Sequence, residues 1–363
     1  MQQIKNFIKG LLHWLYLAKL PFRYYSPSSH VPRHLEMDAG QAEKILSDIR
    51  PDRGQTCLCH NNITSTHDLH IIIPVYNTAP FIGECLDSIL EQKTKYTFFI
   101  SITNDGSTDN SKDVLEAYLS SIPYKERLDA IEVRHQANMG PAMARNVALE
   151  NIRGRYIMFV DSDDKLMPGA IESLMTAATD NDADMAEGHF NCGFTHGFAC
   201  GKVYKAELFR NIHFPPGYWF EDTINAFFLY HICRKRIPVK GEHYYYRLNQ
   251  NSITNSFQGN ERTVDSLWVS RRVLSDYFST GHQATLLLLH EYLQDTISTA
   301  RHFRTLNRED VMQALFAIHC SMAEKFFGNM LAQKECIGSL PFDQKYMALA
   351  LKEKDYRRFR SII

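Results

Sequence analysis

The stretch Tyr156-Ile157-Met158-Phe159-Val160-Asp161-Ser162-Asp163-Asp164 joins a short apolar run to three carboxylates within four positions. An apolar run rich in aromatic and β-branched residues is typical of a buried strand. Carboxylates that crowd the turn after such a strand repel one another unless they share a cation. The alternative is a polar turn whose aspartates cap a helix starting near Pro168, which accounts for one aspartate and not for three. We therefore expect a divalent-metal site in this turn.

The composition is that of an ordinary globular protein. Of the 363 residues, 44% are hydrophobic and 22% are charged, and the formal net charge is −1. A chain of this length holds two domains, or one large domain with extensions. The near-zero net charge gives no electrostatic reason to expect nucleic acid as a partner. The eight scattered cysteines fit buried thiols in a reducing cytosol better than a zinc site.

Residues 4–25 carry apolar side chains at helical spacing, together with lysines and amphipathic aromatic residues. Lys9, Gly10 and His13 interrupt the apolar run, so it is a poor membrane-spanning helix, and it lacks the small-residue cleavage site of a signal peptide. Two interpretations stay open: a helix lying in the membrane surface, or a helix docked on this protein's own surface. The first predicts a cytoplasmic protein held peripherally on the inner membrane. Residues 26–68 are predicted to be a linker or irregular segment.

From Leu69 onward, predicted strands alternate with predicted helices. The strands are expected over Leu69–Val75, Phe98–Thr103, Ala130–Arg134 and Tyr156–Val160, with a helix after each of the first three. Short loops and this alternation predict an α/β fold with a mostly parallel, doubly wound sheet and right-handed crossovers. Because a polar cluster follows each strand, the clusters should meet at one edge of the sheet, where α/β folds bind ligands.

Four residues at this edge have side chains or backbone suited to a nucleotide. Asp105, in a turn that Gly106 permits, could accept a hydrogen bond from a base or a ribose, and Tyr76 could stack on a base. Arg145 could pair with a phosphate, and Gly140 allows the backbone to approach closely. Each has an ordinary explanation as a turn or a solvated side chain. Together with the acidic cluster they predict a nucleoside diphosphate held by Mg²⁺ or Mn²⁺.

Glu221 and Asp222 follow three aromatic residues, Tyr218, Trp219 and Phe220. One interpretation is a helix N-cap at Asp222 or Thr223. The other is a general base held in an apolar wall that raises its pKa.

At this point the sequence resembles family 2 glycosyltransferases of the GT-A fold over roughly residues 69–255. These are inverting enzymes that depend on nucleotide sugars and often build bacterial cell-surface polysaccharides. The resemblance lies in six stretches that occur in order: Pro74-Val75-Tyr76-Asn77, Asn104 to Asp109, Asn138 to Asn146, Asp161 to Asp164, Glu221-Asp222, and Tyr246-Arg247 with Ser252-Ile253-Thr254. One departure is Asn104, which stands where many members carry an aspartate.

The resemblance also implies roles for particular residues. Asp222 would be the catalytic base, with Glu221 shaping the acceptor side, and Arg247 and Trp219 would contact the diphosphate or the acceptor. Asp161 and Asp163 would hold the Mn²⁺ or Mg²⁺ ion. The nucleotide sugar would be bound by Pro74, Tyr76, Asn77, Asp105, Gly140, Arg145, Asp161 and Ser162.

The implied reaction moves a sugar from a nucleotide-diphosphate sugar, with a UDP-sugar expected, to a hydroxyl of a glycan or lipid-linked acceptor. Two alternatives stay open. A non-catalytic nucleotide-sugar-binding scaffold would bind nucleotide without turnover. A nucleotidyltransferase would need a basic, glycine-rich loop near the first strand, whereas Pro74–Pro80 contains no lysine or arginine.

We therefore expect a GT-A domain over residues 69–257 and a helical C-terminal region over residues 258–363. The helical periodicity covers Arg262–Phe278, Gln283–Phe303, Arg308–Phe327 and Tyr346–Arg360. This region would pack on the core or support a homo-oligomer. Its basic end at residues 352–360 would touch a membrane or an anionic carrier, or form a solvated helix end.

Overall fold

A computed structural model describes residues 31–121, 130–194, 196–248 and 258–363. The helix expected at residues 4–25 lies outside the described residues. The chain divides into two compact units. The larger is Asp52–Gln283, and the smaller joins the described residues before Asp52 to Ala284–Ile363. The larger unit therefore extends past both expected ends of the 69–257 domain.

The larger unit contains a nine-stranded sheet within the described residues. The strand order is β3-β2-β1-β4-β8-β6-β9-β5, and β7 pairs with β6. In chain order the strands are β1 (Asn62–Val75), β2 (Phe98–Asp105), β3 (Ile131–Gln136), β4 (Asn151–Phe159), β5 (Lys165–Leu166), β6 (Met185–Phe190), β7 (Gly193–Phe194), β8 (Lys202–Lys205) and β9 (Arg236–Tyr245).

The helices occupy both units. In chain order they are α1 (Ala39–Ile49), α2 (Ile82–Leu90), α3 (Ser111–Ser121), α4 (Pro141–Leu149), α5 (Ala170–Asp180), α6 (Tyr230–Ile232), α7 (Asp265–Ser279), α8 (Leu286–Arg304), α9 (Glu309–Ala332), α10 (Lys334–Ser339), α11 (Phe342–Lys352) and α12 (Tyr356–Arg360). A π-helical turn over Asn225–Leu229 precedes α6, and 3₁₀ turns cover Ala206–Phe209 and Glu261–Val264.

The central strand β1 is buried from Leu69 to Val75. Its alternate residues Leu69, Ile71, Ile73 and Val75 point into one hydrophobic core with α2 and α5. The strand begins at Asn62, seven residues before the expected start. Residues 62–68 are mostly polar and none of them is buried, yet their backbone pairs with the start of β4, from Asn62 opposite Asn151 to His67 opposite Gly154 across a bulge. Backbone pairing, which hydrophobicity does not report, lengthens this strand.

The first four strands, in the order β3-β2-β1-β4, are all parallel. The chain moves outward from β1 to β2 and β3, then crosses back to place β4 on the other side of β1. The order of the strands therefore reverses between β1 and β4, and this reversal opens a crevice at their carboxyl ends. Beyond β4 the sheet is mixed, because β8 is antiparallel to both β4 and β6, while β6 and β9 are parallel. The predicted α/β class with a largely parallel sheet is confirmed.

The smaller unit is helical. Helix α1 begins with a capping box, in which Asp38 Oδ1 accepts from Gln41 N (2.8 Å) and Gln41 Oε1 accepts from Asp38 N (3.1 Å). It lies within the segment expected to be a linker, and it packs against α9. The basic end of the chain is paired inside this unit: Arg358 contacts Glu353 at 2.7 Å and Arg360 contacts Glu309 at 2.8 Å. Among the described residues, no helix is both long and apolar enough to cross a membrane.

Candidate active site

The turns after β1, β2 and β4 meet at the crevice beside β1. Tyr76 follows β1 directly and is 45% exposed, so one ring face is open to a ligand. Pro74, which was also expected to bind the nucleotide sugar, is buried within β1 opposite Thr103 in β2. Ser162, in the turn after β4, is buried, and its hydroxyl accepts a hydrogen bond from Thr78 Oγ1 at 2.9 Å. The structure therefore brings together residues that stand nearly 90 positions apart in the chain.

Asn77 fastens the turn after β1 to the turn after β2. Its Oδ1 accepts from the backbone N–H groups of Thr108 (2.8 Å) and Asp109 (3.3 Å), and its own N–H donates to Ser107 Oγ at 3.1 Å. Asn77 also has a positive φ of 52°, a conformation that asparagine tolerates better than most residues. Most of the polar capacity of Asn77 is thus used within the protein. Its contribution is to hold the two turns in place.

Asp105 is buried at the end of β2 and accepts three hydrogen bonds. Oδ1 accepts from Gln136 Nε2 (2.7 Å) and Met139 N (2.8 Å), and Oδ2 accepts from Gly140 N (2.8 Å). The carboxylate therefore fixes the loop that leads into α4. Gly106 makes this approach feasible, because a Cβ there would lie 2.7 Å from the backbone nitrogen of Asn138. One lone-pair site on Oδ2 is left for a base or ribose.

The acidic turn after β4 concentrates negative charge at the crevice. Ligand atoms of Asp161, Asp164 and Cys200 all lie within 4.8 Å of one another. Burial, reinforced by the charge of Asp161, raises the pKa of Asp164 to about 8. Burial also raises the pKa of the Cys200 thiol, which makes it a neutral neighbour and a poor ligand for Mg²⁺ or Mn²⁺. A divalent cation would relieve this crowding, so the site fits the expected metal.

The three carboxylates of this turn differ in their surroundings. Asp161 keeps 30% of its side chain exposed, and Asp163 is half-buried. Asp164 is almost fully buried, and its Oδ1 accepts from the backbone N–H of Arg247 at 2.7 Å. Asp163 is not part of the three-residue cluster with Cys200. Asp161 and Asp163 are therefore the carboxylates of this turn that keep exposed surface, whereas Asp164 is buried.

Arg145, on α4, joins the acidic turn to the Glu221-Asp222 segment. Its Nη2 donates to Asp161 Oδ1 at 2.8 Å, and its Nη1 donates to Glu221 Oε1 at 2.5 Å. Burial works against the guanidinium charge, but the carboxylates of Asp161 and Glu221 outweigh it and hold the pKa of Arg145 above its usual value. Only 5% of the side chain is exposed. The arginine expected near the diphosphate therefore ties two carboxylate segments together.

The backbone around Asp222 is strained. Phe220 has a positive φ of 65°, which is unusual for a bulky residue. The π-helical turn Asn225–Leu229 follows within three residues of Asp222, and such turns are frequent at functional sites. Asn225 is fully buried, and its Nδ2 donates to the Asp222 carbonyl at 3.1 Å. Local strain that the surrounding structure maintains is found disproportionately at active sites.

The Asp222 side chain is half-buried and makes no capping hydrogen bond to the π-helical turn that follows. The Ala199 backbone N–H lowers the pKa of its carboxyl group, whereas Oδ1 is buried without a hydrogen-bond partner among the described residues. Burial raises the pKa of Asp222 to about 7. Arg145 opposes this rise, and the charges of Glu221 and Asp161 add to it. An acceptor oxygen with no partner and a pKa near neutrality suit a group that takes up a proton.

Two further expected residues are tied into the protein around the site. Arg247 donates from Nε to the Asp163 carbonyl at 2.7 Å and from Nη2 to Glu84 at 2.5 Å. The backbone N–H of Trp219 donates to Asp265 Oδ2 at 3.1 Å. The Arg262 guanidinium carbon lies 5.1 Å from a Trp219 ring centroid. Arg247 thus stabilises the acidic turn through the Asp163 carbonyl, and Trp219 directly precedes the strained residue Phe220.

Sequence reasoning missed three groups that shape this site. Asp164 received no individual role, although it belongs to the acidic stretch that was expected to share a cation. The Ala199 N–H and Lys202 carry no motif of their own. They affect Asp222 because the segment before β8 runs beside β4, where Cys200 and Phe159 form a parallel bridge. An antiparallel strand inserted beside β4 leaves no short-range signal in the sequence.

The strand order, the acidic turn at the switch point and the buried base candidate define the GT-A class of nucleotide-sugar-binding α/β folds. The crystal structure of S. aureus TarS 1–349 in complex with UDP-GlcNAc shares this fold, with a TM-score of 0.60 and 17% identity over 81% of this chain and 90% of that one. Residues 70–236 match the model of the glycosyl transferase family 2. Residues 70–236 of this chain are therefore similar to this family of glycosyltransferases.

Relatives by sequence carry the same domain in different settings. Glycosyltransferase YibD of Escherichia coli (strain K12) is 39% identical over 125 residues, which are 34% of this chain and 34% of YibD. Glycosyltransferase GlyG of Streptococcus pneumoniae is 25% identical over 69% of this chain and 94% of GlyG. The teichoic acid poly(glycerol phosphate) polymerase of Staphylococcus epidermidis is 37% identical over 33% of this chain and 16% of its own length. The alignments thus span about a third of YibD, a sixth of the polymerase and nearly all of GlyG.

Proposed function

We propose that this chain is an inverting glycosyltransferase that moves a sugar from a nucleotide-diphosphate sugar to a hydroxyl of a glycan or lipid-linked acceptor. The observation that carries this proposal is Asp222. Its carboxylate has one buried oxygen without a hydrogen-bond partner among the described residues and a pKa raised to about 7. Arg145, which pairs with Asp161 and Glu221, also acts on Asp222 by opposing the rise of its pKa.

The proposed reaction is a single displacement. The acceptor hydroxyl gives its proton to Asp222 Oδ1 as its oxygen attacks the anomeric carbon of the donor. A new carbon–oxygen bond forms on one face of the sugar, and the bond to the diphosphate oxygen breaks on the other. The electron pair of that bond leaves with the nucleoside diphosphate. A pKa near 7 suits this role, because about half of the carboxylate is then ionised at neutral pH and is basic enough to hold the proton.

Asp161 and Asp163 are the proposed metal-holding residues, and the ion would be Mn²⁺ or Mg²⁺. When bound, the metal would offset negative charge on the diphosphate. The chain's own residues prepare this position. Arg145 orients Asp161, and Arg247 holds the backbone carbonyl of Asp163. The raised pKa of Asp164 supports the proposal, since burial and then the charges of Asp161 and Asp163 disfavour its ionised form.

The nucleotide would lie against the turns after β1 and β2. Tyr76 offers its exposed ring for stacking, and Asp105, which accepts a hydrogen bond from the Gly140 N–H, would bind the base or ribose. A UDP-sugar is the first choice for testing, since TarS, which shares the fold, was crystallised with UDP-GlcNAc.

The acceptor is proposed to belong to the bacterial cell envelope. This is supported by the similarity of the family 2 domain to that of the teichoic acid poly(glycerol phosphate) polymerase. Work at the cytoplasmic face of the membrane, with residues 4–25 as a peripheral contact, stays a prediction and lies outside the described residues. A homo-oligomer is likewise a prediction.

The experiment measures nucleoside diphosphate release from UDP-, GDP- and dTDP-sugars, with and without Mn²⁺, in wild type, Asp163→Ala and Asp222→Asn. Slow hydrolysis of one donor would identify the sugar without any acceptor. We expect hydrolysis to need metal and to fall steeply in Asp163→Ala. Asp222→Asn should lower the transfer rate by about 10²–10⁴-fold with donor binding retained.

Asp180, exposed at the end of α5, supplies the matched controls Asp180→Ala and Asp180→Asn, which should behave as wild type. Tight binding of a nucleotide sugar with no transfer to any envelope-derived acceptor would favour a binding scaffold instead. If UDP, GDP and dTDP all fail to bind in the presence of Mn²⁺, the nucleotide site itself is refuted.

A further inference from the structure

Lys202 is a buried cation that the proposed mechanism does not use. It begins β8 and its side chain has no solvent exposure. A fully buried lysine is rare, because removing an ammonium group from water is costly unless the charge is paired and hydrogen-bonded. Its presence one strand away from the acidic turn therefore calls for a specific role.

The contacts of the Lys202 ammonium with described residues include a carbonyl group and a carboxylate. Its Nζ donates to the Phe198 carbonyl at 2.6 Å and lies 3.5 Å from Glu187 Oε1. Glu187 stands directly opposite Lys202 in the antiparallel pair of β6 and β8. Glu187 is itself held by the Tyr230 hydroxyl at 2.9 Å, and Arg236 lies 4.0 Å away. Residues of β6, β9 and α6 thus position Glu187 beside the ammonium group, which donates to the Phe198 carbonyl.

That carbonyl belongs to the peptide that contacts the proposed base. The Phe198 C=O and the Ala199 N–H form one peptide unit, and the Ala199 N–H acts on the Asp222 carboxylate by lowering its pKa. A cation at the oxygen end of a peptide increases the partial positive charge at its N–H end. The ammonium of Lys202 and the carboxylate of Asp222 are therefore linked through a single polarised peptide group.

We propose that Lys202 is a positioning residue for the reaction, which fixes the Asp222 carboxylate through the Phe198–Ala199 peptide and leaves Oδ1 available for the acceptor hydroxyl. This inference rests on the proposed function. Lys202 touches neither donor nor acceptor in this scheme. Its effect is to keep the base oriented and to favour its ionised form.

The charge balance around the pair supports this role. Burial lowers the pKa of Lys202 to about 8, and Glu187 opposes that fall, so the ammonium is mostly charged at neutral pH. Because opposite charges stabilise each other, removing the ammonium should raise the pKa of Asp222. The other ionisable groups that act on Asp222 or on Lys202 from the packed elements are Arg145, Asp161, Glu187, Cys200, Tyr204 and Glu221.

Tyr204 offers a matched control from the same strand. Its hydroxyl donates to the Ala199 carbonyl at 2.9 Å, and it also lies 2.9 Å from Asn225 Oδ1. Tyr204→Phe therefore loosens the same segment without removing a charge. It separates mechanical support of the peptide from the electrostatic effect of the ammonium.

The test compares wild type, Lys202→Met, Lys202→Arg and Tyr204→Phe by kcat, donor KM and the pH dependence of kcat. For Lys202→Met we expect donor KM within about twofold of wild type and a kcat reduced on the order of tenfold at pH 7. The acidic limb of the pH profile, where kcat falls as the pH is lowered, should move to higher pH. Part of the lost kcat should therefore be recovered at pH 9. Lys202→Arg should restore the position of the limb. Tyr204→Phe should lower kcat without moving it.

The double variant Lys202→Met/Glu187→Gln removes both members of the buried pair and so leaves no unpaired charge if the single variant fails to fold. It should show the same shift of the limb. The inference is overturned if Lys202→Met keeps the wild-type kcat and limb, or if it and Tyr204→Phe lower kcat equally with no shift. If wild type itself transfers no sugar from any donor, the proposed function fails and this inference fails with it.

Discussion

Two parts of the larger unit differ in how they use their polar groups. The nucleotide side, defined as residues 76–78, 104–109 and 138–140, is internally satisfied: Asn77 and Asp105 bind backbone N–H groups of neighbouring turns. The base side, defined as residues 198–204 and 219–225, carries a positive φ at Phe220, a π-helical turn and a buried Asp222 oxygen without a partner among the described residues.

The difference teaches which part is preorganised for binding and which for chemistry. A surface that must fit a flat base and a diphosphate gains from rigid, fully bonded loops. A group that must take up a proton gains from burial and from an unused lone pair, at a cost in stability. Arg145 belongs to neither side and connects the acidic turn to the base side, so it should be the residue whose loss costs most.

The largest effect is expected for Arg145→Met. It leaves the carboxylates of Asp161 and Glu221 without their cation in a largely buried place, so the free energy of unfolding should fall by roughly 3–5 kcal/mol. Urea unfolding followed by circular dichroism measures the change. Arg155→Met is the control, because its ion pair with Asp68 (2.7 Å) is exposed and should contribute about 0–1 kcal/mol. Equal losses for the two variants would refute the connecting role.

The base side should set the pH dependence of catalysis. Asp222 accepts a proton only when ionised, and its pKa is raised to about 7. Below that pH, kcat/KM should therefore fall about tenfold for each pH unit, which gives about 100-fold at pH 5. Residual activity in Asp222→Asn should be nearly independent of pH over the same range. A wild-type limb near pH 4 would show that this carboxylate is not the base.

The nucleotide side should respond in binding and not in turnover. In Asp105→Asn an amide NH₂ group faces backbone N–H donors of the 138–140 loop, so about one hydrogen bond is lost and a donor is left without an acceptor. Donor KM should rise on the order of tenfold, with kcat little changed. Initial rates over a range of donor concentrations separate the two constants. Asp113→Asn, an exposed site on α3, is the control. A fall in kcat alone would contradict the division into two sides.

A smaller effect on the same side is expected at Gly106. An alanine there is strained by its φ of +65° and also meets the Asn138 backbone nitrogen at 2.7 Å. Gly169→Ala is matched in conformation, with φ of +78°, but its Cβ meets nothing within 4 Å. The conformational cost of about 1–2 kcal/mol is common to both variants. Gly106→Ala adds the close contact with Asn138, so thermal unfolding should show it to be the less stable of the two. Equal melting temperatures for the two variants would mean that the 138–140 loop moves away from the added methyl group with no loss of stability.

Much of the nucleotide side was accessible from the sequence because each of its motifs follows a strand. The apolar runs before Tyr76, Asp105 and Asp161 predicted the strands, and parallel connection predicted that their ends would meet. The base side was predicted only as a residue pair, Glu221 and Asp222. Its strain depends on φ at Phe220 and on the π-helical turn, neither of which follows from residue type or periodicity.

By itself, the sequence determined the alternation of strands and helices, the α/β class and the position of the acidic turn, because these depend on local patterns of hydrophobic and polar residues. Only the tertiary structure decided how the side chains are used. Arg145 faces Glu221 across 76 positions, and Lys202 reaches Asp222 through the peptide before Ala199. Such pairings depend on distances between residues that are far apart in the chain. These distances are set when α4, β8 and the 219–225 segment pack near β4, and hydrogen bonding and burial then determine which charges stay paired.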